Sequence, residues 1–133
     1  MPNKIAKEVA EKEFEKLCVS RRIETDITTF NEREKAIFNA RKADMLRLMM
    51  AGTLVLNEQG DPVYTPSLKD AKPLTFHRVT GAVLMEADNI TGSVERLLVL
   101  ATALTKSVPG ELAKLEAPEF RAIDDITAFL VGR

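Results

Sequence analysis

The amino-acid sequence predicts a mainly α-helical domain of the α+β class, with a small antiparallel β-hairpin or three-strand element. Residues 92–106 carry apolar side chains at i, i+3, i+4, i+7 and i+10, which is the spacing of one helix face. Two earlier segments, residues 3–22 and 29–51, are also amphipathic. Between these regions, short β-type runs flank the turn sequence NEQGDP, which is typical of a hairpin.

The first predicted helix covers residues 3–22. Lysine and glutamate side chains occupy one side of it and are expected to face solvent. Cys18 lies beside the apolar stripe, which favours a buried small hydrophobic residue over a reactive nucleophile. The stripe consists of Ala6, Ala10, Phe14 and Leu17.

The second helix has two possible starting points. Thr29 with Glu32 and Asn31 with Glu34 both have the spacing of a capping box. The helix is predicted to run to Ala51, because Gly52 is well suited to end it.

Four side chains of this second helix are candidates for contact with a partner protein: Phe38, Met45, Met49 and Met50. Methionine is flexible and polarizable, so a methionine-rich face suits an adaptable binding surface. Ordinary core packing explains the same spacing and is the simpler interpretation. The sequence leaves both interpretations open.

The predicted β element follows Gly52. Residues 53–56 and 63–65 form the hairpin strands, and Gly60 supplies the positive φ angle in the loop between them. A polar loop is expected over residues 67–73, and the alternation of residues 74–79 predicts a third strand.

The C-terminal half is predicted to be helical. A short helix covers residues 81–87, and one helical turn covers residues 111–115. Between them, the helix over residues 92–106 is apolar on almost every side, so it is expected to be the buried centre of the fold.

A last helix begins near Pro118, which is favourable at a helix N-terminus. Its charged residues are expected on the solvent side: Glu119, Arg121, Asp124 and Asp125. Its apolar face is made of Phe120, Ile123, Ile126, Thr127, Phe129 and Leu130.

Length and composition limit the possible classes of protein. The chain has 133 residues, of which 45% are hydrophobic, so residues 1–52 and 53–133 can form one compact unit. A helical pair would form the first part, and the hairpin with the C-terminal helices would form the second. The net charge of −1 disfavours nucleic-acid binding, and we expect no membrane segment, no signal sequence and a cytoplasmic location.

Residues for catalysis or metal binding are sparse. His77 is the only histidine and is expected at an exposed strand position, although a small enzyme that uses His77 remains one hypothesis. Asp124 and Asp125 are adjacent, so they point in different directions on a helix and do not converge on a metal. We therefore predict no catalytic site, no metal site and no cofactor.

The segment from Leu74 to Arg133 resembles the tail assembly chaperones of long-tailed bacteriophages. The shared features are a strand, a short helix after a threonine, an acidic helix end, a hydrophobic helix, a proline-containing turn, a leucine, an acidic residue followed by an aromatic one, and a closing helix with phenylalanine. In this sequence they are Leu74 to Phe76, Thr80, Glu86 to Asp88, Leu97 to Leu104, Pro109, Leu115, Glu119, Phe120 and Phe129.

The resemblance implies a non-enzymatic role. Such proteins bind the long, aggregation-prone tape measure protein, keep it soluble and are thought to bring tail tube subunits, the major tail protein, to it. It also implies action in the cytoplasm of the bacterial host and absence from the mature virion. Amphipathic surfaces of this kind lead us to expect a homo-oligomer. The alternative is a small structural tail or head–tail joining protein of the same helical build.

Overall fold

The computed structural model describes residues 4–66 and 72–132. Within these ranges the chain forms six helices and one three-stranded antiparallel sheet, which confirms the predicted fold class. Asn3, most of the predicted loop over residues 67–73 and Arg133 lie outside the described residues. In chain order the elements are α1 (Lys7–Arg21), α2 (Glu32–Met50), β1 (Leu54–Leu56), β2 (Pro62–Tyr64), β3 (Leu74–Thr75), α3 (Gly81–Asp88), α4 (Ser93–Thr105), α5 (Pro109–Ala113) and α6 (Ala117–Val131).

The capping box of α2 is formed by Asn31 and Glu34. The Asn31 Oδ1 atom accepts a hydrogen bond from the Glu34 backbone N–H at 2.8 Å, and the Glu34 Oε1 atom accepts one from the Asn31 N–H at 3.0 Å. Both interactions satisfy N–H groups that an unfinished first turn would leave without partners. At the other end of α2, Gly52 adopts a φ of 81°, which a residue with a Cβ atom avoids.

The sheet has the order β1-β2-β3, with Leu54 opposite Tyr64 and Val63 opposite Thr75. The third strand ends earlier than predicted, at Thr75, because the backbone changes its hydrogen-bond partner between Phe76 and His77. The Phe76 N–H still donates to the Pro62 carbonyl at 2.8 Å, but the next N–H, that of His77, donates to the Leu104 carbonyl at 2.7 Å. The chain thus turns from the sheet to the end of α4.

The predicted central helix α4 does contact α3, α5, α6 and β3, but it is not buried on every side. In α4 the residues Leu100, Ala101 and Leu104 are buried, but Val94 is 59% exposed. The first turn of α4 is therefore open to solvent, whereas its last turns are mostly buried. The helix α6 contacts both α2 and α4, and its buried residues are Glu119, Ala122, Ile123, Ile126, Thr127, Ala128 and Phe129.

One hydrophobic core joins the N-terminal and C-terminal halves of the chain. Phe14 of α1, Met49 of α2, Leu104 of α4 and Ile126 of α6 belong to the same cluster of buried residues. Residues before and after position 52 therefore cover each other's apolar surface. The cluster is complete only when both halves contribute their side chains.

Candidate functional site

The predicted partner-binding residues do not form one exposed face. Met45 and Met49 are 0% and 2% exposed and belong to the core, because that side of α2 lies against its neighbouring helices. Met50 is half-buried, and its carbonyl accepts hydrogen bonds from the N–H groups of Lys4 and Ile5, both at 3.0 Å. The core interpretation therefore holds for Met45 and Met49, and the proposed contact surface has to lie elsewhere.

Phe38 lies in the N-terminal half of α2, whereas the methionines lie in its C-terminal half, and its side chain is partly accessible. Its ring packs edge-on against Phe14, with the ring centres 6.5 Å apart. Phe14 in turn contacts Phe129 of α6 at 5.3 Å between ring centres. Phe38 is thus the outer member of an aromatic group whose inner members are buried.

Apolar side chains surround Phe38 and line parts of two depressions. The first, with a volume of about 370 Å³, lies between the α1–α2 connection, α2 and the end of α6. The second, of about 470 Å³, lies between α1 and α2. Ile23 and Phe38 line both, so the depressions are adjacent. We call the accessible residues the α1–α2 surface: Val19, Ile23, Phe30, Ile37 and Phe38.

Two residues of the α1–α2 surface are the most open to solvent. Val19 is 80% exposed and Ile37 is 46% exposed. Val19 lines the second depression and Ile37 lines the first, so each depression has an exposed apolar side chain of the kind found at binding sites. Sequence reasoning missed this surface because Val19 and Ile37 lie on different helices, and only their packing brings α1 and α2 together.

The charges that border the α1–α2 surface are of both signs. Glu24, Glu34 and Arg41 line the first depression, and Glu15 and Lys42 line the second. Such a border does not select strongly for a basic or an acidic partner. It suits an apolar segment whose flanking charges are also mixed.

The single cysteine is unsuited to nucleophilic chemistry. Cys18 is buried in the core, and burial raises the pKa of its thiol to about 11. The charge of Lys42 opposes this shift but does not cancel it. Because the thiolate is the nucleophile, a raised pKa makes the group inert near neutral pH. This confirms the prediction of a buried small hydrophobic residue.

His77 is half-buried and follows the short third strand, so the expectation of an exposed strand position is wrong. Its backbone is well held, because its N–H donates to Leu104 and its carbonyl accepts from Arg21 Nη1 at 3.3 Å. Over residues 4–66 and 72–132, no group of three or more histidine, cysteine or acidic side chains is arranged to hold a metal ion. None of the helices in those ranges has the length and apolarity needed to span a bilayer.

A buried polar pair joins the sheet to α6. The Tyr64 hydroxyl donates a hydrogen bond to Glu119 Oε2, and both residues are buried. Burial raises the pKa of Tyr64 well above its ordinary value, and the hydrogen bond to Glu119 raises it further. Glu119 was predicted on the solvent side of α6. That prediction is wrong, because Glu119 is buried. The only feature of the sequence that pointed to a buried acid was Tyr64, since a buried tyrosine hydroxyl requires a polar partner.

Comparisons of the chain with protein-family models, with curated proteins and with solved structures gave no match.

Proposed function

We propose that the protein is a tail assembly chaperone of a long-tailed bacteriophage. In this role it binds apolar helical segments of the tape measure protein, keeps that protein soluble and helps to bring the major tail protein to it. It acts in the cytoplasm of the bacterial host and does not remain in the mature virion. It has no enzymatic activity of its own.

The observation that carries this proposal is the α1–α2 surface, in which five accessible apolar side chains line two adjacent depressions. Phe38, one of the four residues that the sequence suggested for partner contact, lies between its two depressions. Phe129, which belongs to the part of the sequence that resembles the chaperones, lines the first depression. The resemblance and the surface therefore meet at the end of α6.

A helical client would bind by placing its apolar face along the α1–α2 surface. Each Å² of apolar area removed from water contributes about 25 cal/mol, so a contact of modest area gives reversible binding. Reversibility suits a chaperone, because the client has to be released into the growing tail. While it is bound, its apolar stripe is unavailable for aggregation.

The same surface explains why we propose a homo-oligomer. Val19 and Ile37 would remain in water whenever no client is bound. A second copy of the chain can cover them by weak self-association, and the client then displaces that copy.

Co-expression with the tape measure protein tests the proposal. The double variant Val19→Asp and Ile37→Asp places two charges on the α1–α2 surface without altering the core. The client should then move from the soluble to the insoluble fraction, and pull-down of the two proteins should be lost. The double variant Val94→Asp and Val108→Asp is the matched control, because these valines are 59% and 55% exposed and do not belong to the α1–α2 surface. It should preserve both solubility and pull-down.

Circular dichroism of the double variant should show unchanged helix content, so that loss of binding is separated from loss of folding. A folded double variant that still keeps the client soluble would refute the α1–α2 surface as the contact. Detection of the protein in purified phage particles would instead favour the structural tail or head–tail joining role.

A further inference from the structure

A third depression, distinct from the α1–α2 surface, is lined by three arginines and several aliphatic residues. Its volume is about 340 Å³, near the lower end of the range of about 300 to 1,000 Å³ for ligand pockets. The end of α1, the segment after β3, and the helices α3, α4 and α6 all contribute to it. The lining residues are Ser20, Arg21, Arg22, Arg78, Val79, Leu84, Leu104, Leu130 and Val131.

Arg21 is the innermost cation of this arginine pocket, with a side chain that is only 7% exposed. Its Nη2 atom lies 3.3 Å from Asp61 Oδ1 and also donates to the Phe76 carbonyl, while its Nη1 donates to the His77 carbonyl. Its Nε atom is buried and has no hydrogen-bond partner among the described residues. These contacts hold the guanidinium rigidly beside the pocket.

Arg78 is held next to Arg21 by Ser20. Its Nη2 atom donates to the Ser20 carbonyl at 2.7 Å and to the Ser20 Oγ atom at 2.9 Å. Burial lowers the pKa of Arg21, and the charge of Asp61 raises it. The charge of Arg78 also lowers the pKa of Arg21, which shows that the proximity of the two cations is unfavourable. A third cation, Arg22, lies at the C-terminal end of α1.

Positive charge therefore exceeds negative charge at this pocket. Three arginines line it, and none of the described residues that line it is acidic. Asp61 pairs with Arg21 but does not line the pocket. An incoming carboxylate would relieve the repulsion among the arginines, and guanidinium groups form strong hydrogen bonds with carboxylates.

The rest of the lining is mostly aliphatic. Leu104 is buried, whereas Val79, Leu84, Leu130 and Val131 are partly accessible. A ligand that fills the pocket therefore has to carry an apolar group beside its anionic group.

We propose that the arginine pocket binds an acidic, apolar segment of a partner polypeptide. A leucine-like side chain of the partner enters between Leu84, Leu130 and Val131. A neighbouring glutamate or aspartate carboxylate contacts Arg22 and Arg78. The pocket is too small for a whole helix, so it anchors one part of a segment that extends over the surface. This inference does not depend on the proposed function.

Methyl NMR of the full chain tests the arginine pocket. The probe is a synthetic helical peptide made of leucine and glutamate, and the comparison peptide has glutamine in place of every glutamate. The acidic peptide should shift the methyl signals of Leu84, Leu130 and Val131, and the glutamine peptide should shift them much less. Because the contact is partly electrostatic, added salt should weaken binding of the acidic peptide.

The double variant Arg22→Gln and Arg78→Gln removes two exposed cations and leaves the buried Arg21–Asp61 pair intact. The affinity for the acidic peptide should fall about threefold to tenfold, the range expected when two partly exposed ion pairs are lost. The control variant Arg33→Gln and Arg121→Gln makes the same change of net charge on other exposed arginines. Its affinity should equal that of the unmodified chain.

Several results would overturn the inference. Equal binding of the two peptides, or an equal loss of affinity in the control variant, would show that the pocket arginines do not recognise the carboxylates. Methyl shifts confined to other residues would place the contact elsewhere. Saturating shifts with dodecanoate and none with peptide would assign the pocket to a free amphiphile. Concentration-dependent shifts of the same methyl groups without peptide would assign it to a second copy of the chain.

Discussion

Two polar atoms of α6 are buried without a hydrogen-bond partner among the described residues, Asp124 Oδ1 and Thr127 Oγ1. They lie one helical turn apart. Burial raises the pKa of Asp124 above its ordinary value, and the charge of Asp125 raises it further. The ionised carboxylate is therefore less favourable in the folded than in the unfolded chain, and Asp124 destabilises the fold at neutral pH.

We predict that Asp124→Asn increases the free energy of unfolding at pH 7, because the amide keeps the shape of the side chain but removes the buried charge and its repulsion with Asp125. A carboxyl group with a raised folded pKa favours folding while it is protonated, and that contribution is lost as pH rises through the folded pKa. The difference should therefore shrink as pH falls toward about 3.9, the ordinary aspartate value. Urea titrations at several pH values measure it. Glu15→Gln, an exposed change of equal charge, should have little effect.

The tyrosine of the Tyr64–Glu119 pair gives a second prediction at this scale. Tyr64→Phe removes the donor to a buried carboxylate and should lower the free energy of unfolding by about 1 to 3 kcal/mol. Since the folded pKa of Tyr64 is raised, folding of the unmodified chain should weaken as pH rises above about 10. The phenylalanine variant should lack that part of the pH dependence. Equal stability of the two proteins would contradict the pair.

At the scale of elements, helix boundaries follow from local hydrogen bonding. The sequence contained two capping boxes for α2, separated by two residues, and the structure uses the later one. Thr29 instead lies in the turn that precedes Asn31, where the Phe30 N–H donates to the Ile27 carbonyl at 3.0 Å. Spacing alone could not choose between the two, because both have the same pattern of side chains.

Replacement of the helix cap tests this choice. Asn31→Ala should lower the free energy of unfolding by about 1 kcal/mol, because the Glu34 N–H loses its acceptor. Thr29→Ala, the matched control at the other possible start, should change stability by less than about 0.5 kcal/mol. Chemical denaturation of both variants provides the measurement, and the reverse order of effects would mean that α2 begins at the earlier box.

At the scale of the whole molecule, one core contains side chains from both residues 1–52 and residues 53–133. Phe14 packs against Phe129, and Arg21 of α1 pairs with Asp61 of the hairpin. Each half thus depends on the other to cover its apolar groups. A chain of this size with one shared core is expected to unfold in a single transition.

We predict that the two halves unfold together in urea. Cys18 reports on the first half, because its buried thiol becomes reactive only when the core opens. Tyr64 reports on the second half through its fluorescence, since it is the only tyrosine and the chain has no tryptophan. The two midpoints should coincide, with Cys18→Ala as the background for labelling. Reactivity of Cys18 at lower urea than the Tyr64 transition would mean that the N-terminal helices open separately.

The sequence by itself determined the fold class, the approximate position of each helix and the burial of Cys18. These properties depend on local hydrogen bonding and on the period of apolar residues, and both are written along the chain. The methionines of α2 show the limit of such periodicity: it predicts that Met45 and Met49 share a face, but not which neighbour covers that face.

Only the tertiary structure decided which surfaces remain open. The packing of α1, α2 and α6 buries Met45 and Met49 and leaves Val19 and Ile37 in water. It also places Glu119 beside Tyr64 and brings Arg21 close to Asp61 and Arg78, residues that are far apart in sequence. Burial is a property of neighbours, and distant neighbours are chosen when the helices assemble, not by the spacing of residues within any one of them.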